Sequence, residues 1–213
     1  MSLLRPALAT LTAAVLACSA ATANAAPTSY NIVSKISRVS FSLLHQGFID
    51  LVGTVRLTPG RFVFDPDDWA RSSIQVTLPV ASIDLGDAQW NNQVRGDDSW
   101  SKLFMGAGSI SFRSTKVEKL DAMQGRLYGD LTLAGVTRPV VLQLRFNKLG
   151  LNEVSEKPSV GFSARTTLKR SDFGLDAYLD LVGDEMAINI QVEGTQGEDG
   201  DARNSTNALG VKS

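Results

Sequence analysis

Scarcity is the first property of this chain. Its 213 residues contain one cysteine and one histidine, Cys18 and His45. A zinc site built from His and Cys needs three or four such ligands, so that chemistry is close to excluded and no metal site is expected. Cys18 lies inside an N-terminal leader, so a chain cleaved after Ala25 keeps no thiol nucleophile and no disulfide framework. An excess of one charge is also missing: 21 basic residues stand against 22 acidic ones, with no block of Lys or Arg. Without that electrostatic footprint, nucleic acid is set aside as a partner. There is no G-x-S-x-G elbow, and a serine triad would have to use His45, which has no evident partner serine. No catalytic residue and no catalytic cofactor are expected.

The leader sets the compartment. Arg5 is its only charge, ahead of an apolar and small-residue stretch from Ala7 to Ala17. A spanning helix wants ~20 apolar residues, more than this stretch holds. Ala23-Asn24-Ala25 then supplies an A-x-A cleavage signal. Residues 1–25 therefore read as a secretory signal peptide, and the mature chain as periplasmic. A second reading rests on Val15-Leu16-Ala17-Cys18, which is similar to a bacterial lipobox; Cys18 would then carry lipid and anchor the chain to the envelope. At the other end, residues 195–213 are polar and hold almost no bulky apolar side chain. Such a tail cannot offset its own ordering entropy and is expected to be disordered.

Between them, residues 28–194 carry a period of two. Val39, Phe41, Leu43 and His45 alternate with Ser40, Ser42 and Leu44. Leu51 to Leu57 follows, then a Pro59-Gly60 turn, and Ile74, Val76 and Leu78 set against Ser73, Gln75 and Thr77. Ile110 and Phe112, the run from Leu127 to Leu133, the run from Val140 to Phe146, and Met186, Ile188, Ile190 and Val192 repeat the habit. Short alternating runs separated by turn residues predict half-buried antiparallel strands. Eight or nine of them make a closed barrel or a sandwich, and periodicity does not choose. An eight-stranded barrel either fills itself with side chains or holds one small ligand. One stretch, near residues 86–106, breaks the rhythm: Trp90, Val94, Trp100, Leu103 and Phe104 suit short helical turns with one apolar face, capping a barrel end.

Several motifs carry less than they suggest. Asp172-Phe173-Gly174 spells a kinase triplet with none of its companions, and fits a turn linking strands. Asp65-Pro66-Asp67-Asp68 lacks the glycine and distal glutamate of a calcium loop, and reads as a proline turn with exposed acids. Gly106-Ala107-Gly108 is too short to cradle phosphate.

Four ordered stretches resemble the YceI-like family. They are Val39 to Phe48; Ser73 to Ile83; Gly129-Asp130-Leu131-Thr132-Leu133-Ala134-Gly135-Val136-Thr137-Arg138-Pro139-Val140; and Gly161 to Ala164, continuing through Arg170 to Leu175 and Val182-Gly183-Asp184. The resemblance implies an all-β fold, an antiparallel lipocalin-like barrel of about eight strands. It also implies a polyisoprenoid ligand, either a polyprenyl lipid or a quinone tail held as cargo, and a carrier or sequestering role. Transport, stress tolerance and redox support to a membrane cytochrome stay open within it, as does a homodimer. The family's usual Arg-Asp-x-His-Leu-Arg-Ser stretch is replaced here by Arg95-Gly96-Asp97-Asp98-Ser99-Trp100, which puts the headgroup preference in question.

The candidate site follows from these two readings. Phe41, Leu43, Phe112, Leu142, Leu144, Phe162, Ile188 and Ile190 are candidates for the lumen, and His45 for the mouth. Trp90, Trp100 and Phe104 offer flat apolar contact to a chain. Arg95, with Asp97 and Asp98, offers a fork for a polar head. Two rival readings are an enzyme using His45 as acid–base with Asp172 or Asp184, and a ligand-free interaction module whose lumen is packed shut.

Overall fold

The computed structural model describes residues 26–95 and 109–197; the leader, the far tail and residues 96–108, with Asp97, Asp98, Trp100 and Phe104, lie outside them. Ten strands and one α-helix follow in order: β1 (Thr28–Ile32), β2 (Arg38–His45), β3 (Ile49–Arg56), β4 (Arg61–Phe64), β5 (Ser73–Pro79), α1 (Ala88–Arg95), β6 (Ser109–Lys119), β7 (Gln124–Leu133), β8 (Val136–Asn152), β9 (Lys157–Lys169) and β10 (Val182–Gln196). All pairings are antiparallel, and β1 closes the sheet by pairing with both β4 and β10. The fold is a closed antiparallel barrel of eight staves.

Ten strands make eight staves because two staves are broken. Strand β10 pairs with β2 from Val182 to Gln191 and with β1 from Gly194 to Gln196, so β1 and β2 are halves of one stave. At the break, the buried Ser37 hydroxyl stands in for a missing backbone group: Glu193 N–H donates to its Oγ at 3.1 Å. Likewise β3 and β4 are halves of one stave interrupted around Pro59-Gly60. Across that second break Arg56 N–H donates to Ser82 Oγ at 3.1 Å, and Thr54 and Asp84 exchange backbone bonds of 2.8 and 2.9 Å. A buried backbone group left unpaired is costly, and at the first break the Ser37 side chain removes that cost, while at the second Ser82 pairs an exposed N–H.

The strands give the barrel two distinct ends. The mouth end holds the last residues of β2, β5, β7 and β9 and the first of β3, β6, β8 and β10. Two tight hairpins lie there, Gln46-Gly47 and Ala134-Gly135. Each has positive φ at both central residues (50° and 73°; 51° and 80°), the geometry that matches the twist of the flanking strands. The base holds the opposite strand ends and the 3₁₀ turn Trp69–Arg71 between β4 and β5.

Two expectations need correction. Strand β8 runs to Asn152, well past Phe146, because β9 continues to pair with it beyond a bulge at Asn147. Asp65 is not an exposed acid but fully buried. Its Oδ1 accepts from the N–H groups of Asp67 and Asp68, each at 3.0 Å, and its Oδ2 faces Arg71 at 3.1 Å. That second oxygen lacks hydrogen-bond geometry but is compensated by the guanidinium charge. The turn satisfies the carboxylate, which composition could not reveal.

Candidate ligand-binding lumen

Every stave contributes apolar side chains to one internal space. Its wall includes Phe41, Phe62, Phe112, Leu142, Phe162 and Ile188, and among the described residues its only polar members are Ser72, Ser73 and Thr166, with no charged side chain. The wall leaves a void of about 170 Å³, against the ~10–15 Å³ that one water needs, so the lumen is not packed shut. From Met186 to Val192 the wall runs six residues, ~20 Å of strand, or ~15 Å along the axis at ordinary barrel tilt.

Glycine keeps that space clear. Inward positions alternate along β7 as Gly125, Leu127, Gly129, Leu131 and Leu133. The Phe112 ring lies over Gly129, where an added Cβ would sit 2.4 Å from its Cζ. The Phe41 ring lies over Gly53 at 2.3 Å and the Phe62 ring over Gly194 at 2.5 Å by the same test. Three phenylalanines thus lie flat against the wall instead of crossing the lumen.

Aromatic rings close the base. Tyr30 stacks on Phe62 at 5.5 Å, Phe64 meets Phe162 edge-on at 4.9 Å and stacks on Phe146 at 5.6 Å, and Trp69 packs against Phe64 at 5.9 Å. These separations are in the favourable range for ring pairs. Trp69 is 2% exposed, and it fits because Gly125 leaves room: a Cβ there would sit 2.7 Å from the indole. The Asp65 turn positions this plug, with Asp68 Oδ1 accepting from Ala70 N–H at 3.1 Å to cap the Trp69 turn.

The mouth is more polar. Helix α1 is capped by Asp87, whose Oδ1 accepts from Trp90 N–H at 3.0 Å, and is held by Asn91, which bridges Leu85 N–H at 2.7 Å and Asp84 Oδ1 at 2.9 Å. The hydrogen bond from Asn91, then the one from Gly86 N–H, holds the Asp84 carboxyl below its usual range. Trp90 stands 5.8 Å from the His45 ring at a tilt of 59°. Beside them the loop from Gly174 to Leu181 is tied down by Arg170, which is fully buried. The Arg170 guanidinium donates to Gly183 O at 2.9 Å, Leu175 O at 3.0 Å and Val182 O at 2.7 Å. Burial pushes this guanidinium below its usual range, against the pull of Asp184 and Asp176.

The sequence candidates separate by location. Phe41, Phe112, Leu142, Leu144, Phe162, Ile188 and Ile190 line the void, while Leu43 is buried on the same face without bordering it. His45 and Trp90 meet at the mouth. Arg95 turns back, its guanidinium donating to the Ile83 carbonyl through Nε at 2.9 Å and through a terminal nitrogen. The amide of Gln46 approaches His45 Nε2 at 3.5 Å, and among the described residues no carboxylate pairs with the ring. Asp184 is instead bound by Ser171, through N–H at 2.9 Å and Oγ at 2.8 Å. Sequence reasoning missed Tyr30, Trp69 and Phe146 of the plug, the wall glycines as partners of rings, and Arg170. An inward-phase glycine on an otherwise apolar strand face was the available signal for the glycines.

Comparison with known proteins agrees with this architecture. The YceI-like domain model matches residues 30–194. Protein YceI of Escherichia coli O157:H7 is 32% identical over 189 residues, covering 87% of this chain and 95% of that protein. Among solved structures, BcnA of Burkholderia cenocepacia superposes with a TM-score of 0.61 at 24% identity, over 76% of this chain and 98% of that one. A polyisoprenoid binding domain from Saccharophagus degradans, implicated in plant cell wall breakdown, superposes with a TM-score of 0.54 at 12% identity, over 80% and 99%. At these identities the two structures testify to the shared barrel. The barrel, its four matching stretches and a family match across all ten strands lead to one assignment: the chain belongs to the YceI-like family.

Proposed function

We propose that this barrel is an exported carrier that holds an isoprenoid chain in its lumen and performs no chemistry on it. The observation that carries this reading is the wall: among the described residues, a void lined by hydrocarbon and free of charge, sealed at one end by aromatic rings. Burying a chain there is favourable by about 0.8 kcal/mol per CH₂. A polar head inside the lumen would find almost no partner and lose about 2–7 kcal/mol, so the head belongs at the mouth with His45 and Trp90. The related polyisoprenoid binding domain supports the ligand class. The enzyme reading has less support, because His45 has no carboxylate neighbour among the described residues to set its protonation. The leader with its A-x-A site supports export to the periplasm.

A chain-length series tests the reading. The void of about 170 Å³ compares with the ~150 Å³ that takes one benzene, so it holds about one or two isoprene units before wall side chains must move. Affinity for prenyl alcohols should rise over those first units and then level off. Affinity independent of chain length would refute a luminal site.

A further inference from the structure

The mouth end carries more exposed apolar surface than a carrier of buried cargo needs. Of the fifteen large apolar side chains that are exposed among the described residues, seven lie at this end. Phe48, at the tip of the β2–β3 hairpin, is 83% exposed and Ile49 beside it is 58% exposed. The loop carrying Tyr178, Leu179 and Leu181 adjoins that tip, fixed to it by Gln46 N–H donating to Leu181 O at 2.6 Å. Trp90, also exposed, stands against the His45 ring at the foot of that hairpin. These groups cluster as an exposed apolar rim at this end of the barrel.

We propose that this rim docks on a lipid bilayer, with Phe48 and the Tyr178–Leu181 loop entering the interface so that the lumen opens onto the hydrocarbon. The reading goes beyond cargo binding and rests on the rim's own shape and charge. A protruding tip suits a soft phase better than a rigid pocket, and an apolar cargo already partitions into that phase. Charge specifies which bilayer. Exposed Asp50, Asp176 and Asp180 interleave with the apolar rim residues, so the surface suits uncharged headgroups and is repelled by anionic ones. The same three carboxylates disfavour a second copy, because an isologous pairing would set each acidic patch against itself.

Co-sedimentation with vesicles tests this, using phosphatidylcholine and phosphatidylethanolamine without any isoprenoid, so the result does not depend on the lumen. The full chain should bind these vesicles. Phe48→Ser should weaken binding about tenfold or more, and Leu179→Ser by a smaller factor. Val154→Ser is the control: that residue is 96% exposed on the β8–β9 tip at the base, and the change should leave binding intact. Adding phosphatidylglycerol should reduce binding, most at low salt. No binding to neutral vesicles, a Phe48→Ser chain that binds normally, or a loss seen only in Val154→Ser would each overturn the proposal. So would a Phe48→Ser effect confined to self-association in sedimentation velocity, which would make the rim an interface between copies.

Discussion

Gly53→Ala is the most instructive perturbation of this barrel. The glycine faces inward opposite Phe41, and a Cβ there would meet Phe41 Cζ at 2.3 Å, Phe41 Cε1 at 2.8 Å and Leu85 Cδ2 at 2.7 Å. All three neighbours are side-chain atoms, so the backbone need not move. Carbon atoms settle at ~3.5–4.0 Å, and the ring must therefore shift by more than ~1 Å. Phe41 is 1% exposed and borders the void, so the free direction is into the lumen. Overpacking of this kind costs ~1–3 kcal/mol of stability. If the displaced ring excludes two or three ligand carbons, binding loses about 2 kcal/mol, roughly thirtyfold in Kd. Titration with a short fluorescent prenyl probe, alongside urea unfolding, reads both effects. The double variant Gly53→Ala/Phe41→Leu should recover affinity, because the smaller side chain clears the lumen again. Unchanged affinity in Gly53→Ala, or no recovery in the double variant, would refute the idea that flat rings keep the lumen open.

Three further outcomes follow from the same geometry. Asp65→Ala removes the acceptor of two backbone N–H groups beneath the Trp69 plug; it should cost about 2 kcal/mol, ~4–8 °C in Tm, and increase acrylamide quenching of tryptophan emission. An unchanged Tm would show that the turn does not hold the plug. Arg170→Met strands the carbonyls of Leu175, Val182 and Gly183 and should cost ~3 kcal/mol or more, with faster amide exchange in 174–181. Arg170→Lys should recover only part of this, since an ammonium cannot reach all those carbonyls; full recovery would contradict the assignment. Stability should also fall in acid. Desolvation works to raise the Asp184 carboxyl, but the two Ser171 bonds and the charges of Arg170 and Lys169 outweigh it and hold it below its ordinary 3.8. Glu118, bonded by Tyr128, and Asp121, bonded by Met123 and Gln124 N–H, are depressed as well. A depressed carboxylate contributes stability that is fully present above its unfolded value and lost as pH falls through its folded one. Thermal melts should therefore hold steady above pH ~5 and decline below it, less steeply in Asp184→Asn. An identical acid limb in that variant would contradict the assignment.

Much of the barrel was legible because alternation is a local property. Met186, Ile188, Ile190 and Val192 face the lumen as their spacing predicts, and Phe41, Phe112 and Leu142 join them. The broken staves were not legible. Pro59-Gly60 announces a turn, but that β3 and β4 continue one stave depends on Ser82 and Asp84 arriving from a distant part of the chain. The base plug gathers Tyr30, Phe64, Trp69, Phe146 and Phe162 from five separate segments, and Trp69 sits among acids in a run that reads as a surface turn. Nothing in the sequence marks Arg170 as a buried residue. Its burial rests on backbone carbonyls, a class of partner that a pattern of side chains does not display.

The central claim is that the lumen carries a hydrocarbon chain. Native mass spectrometry of the chain purified from its own cells without detergent tests it most directly, followed by extraction and identification of any bound lipid. The account predicts a complex heavier than the bare chain by one isoprenoid, less occupied in Gly53→Ala and unchanged in Val154→Ser. Repeated preparations yielding only the bare chain, and no uptake after incubation with prenyl alcohols, would contradict it.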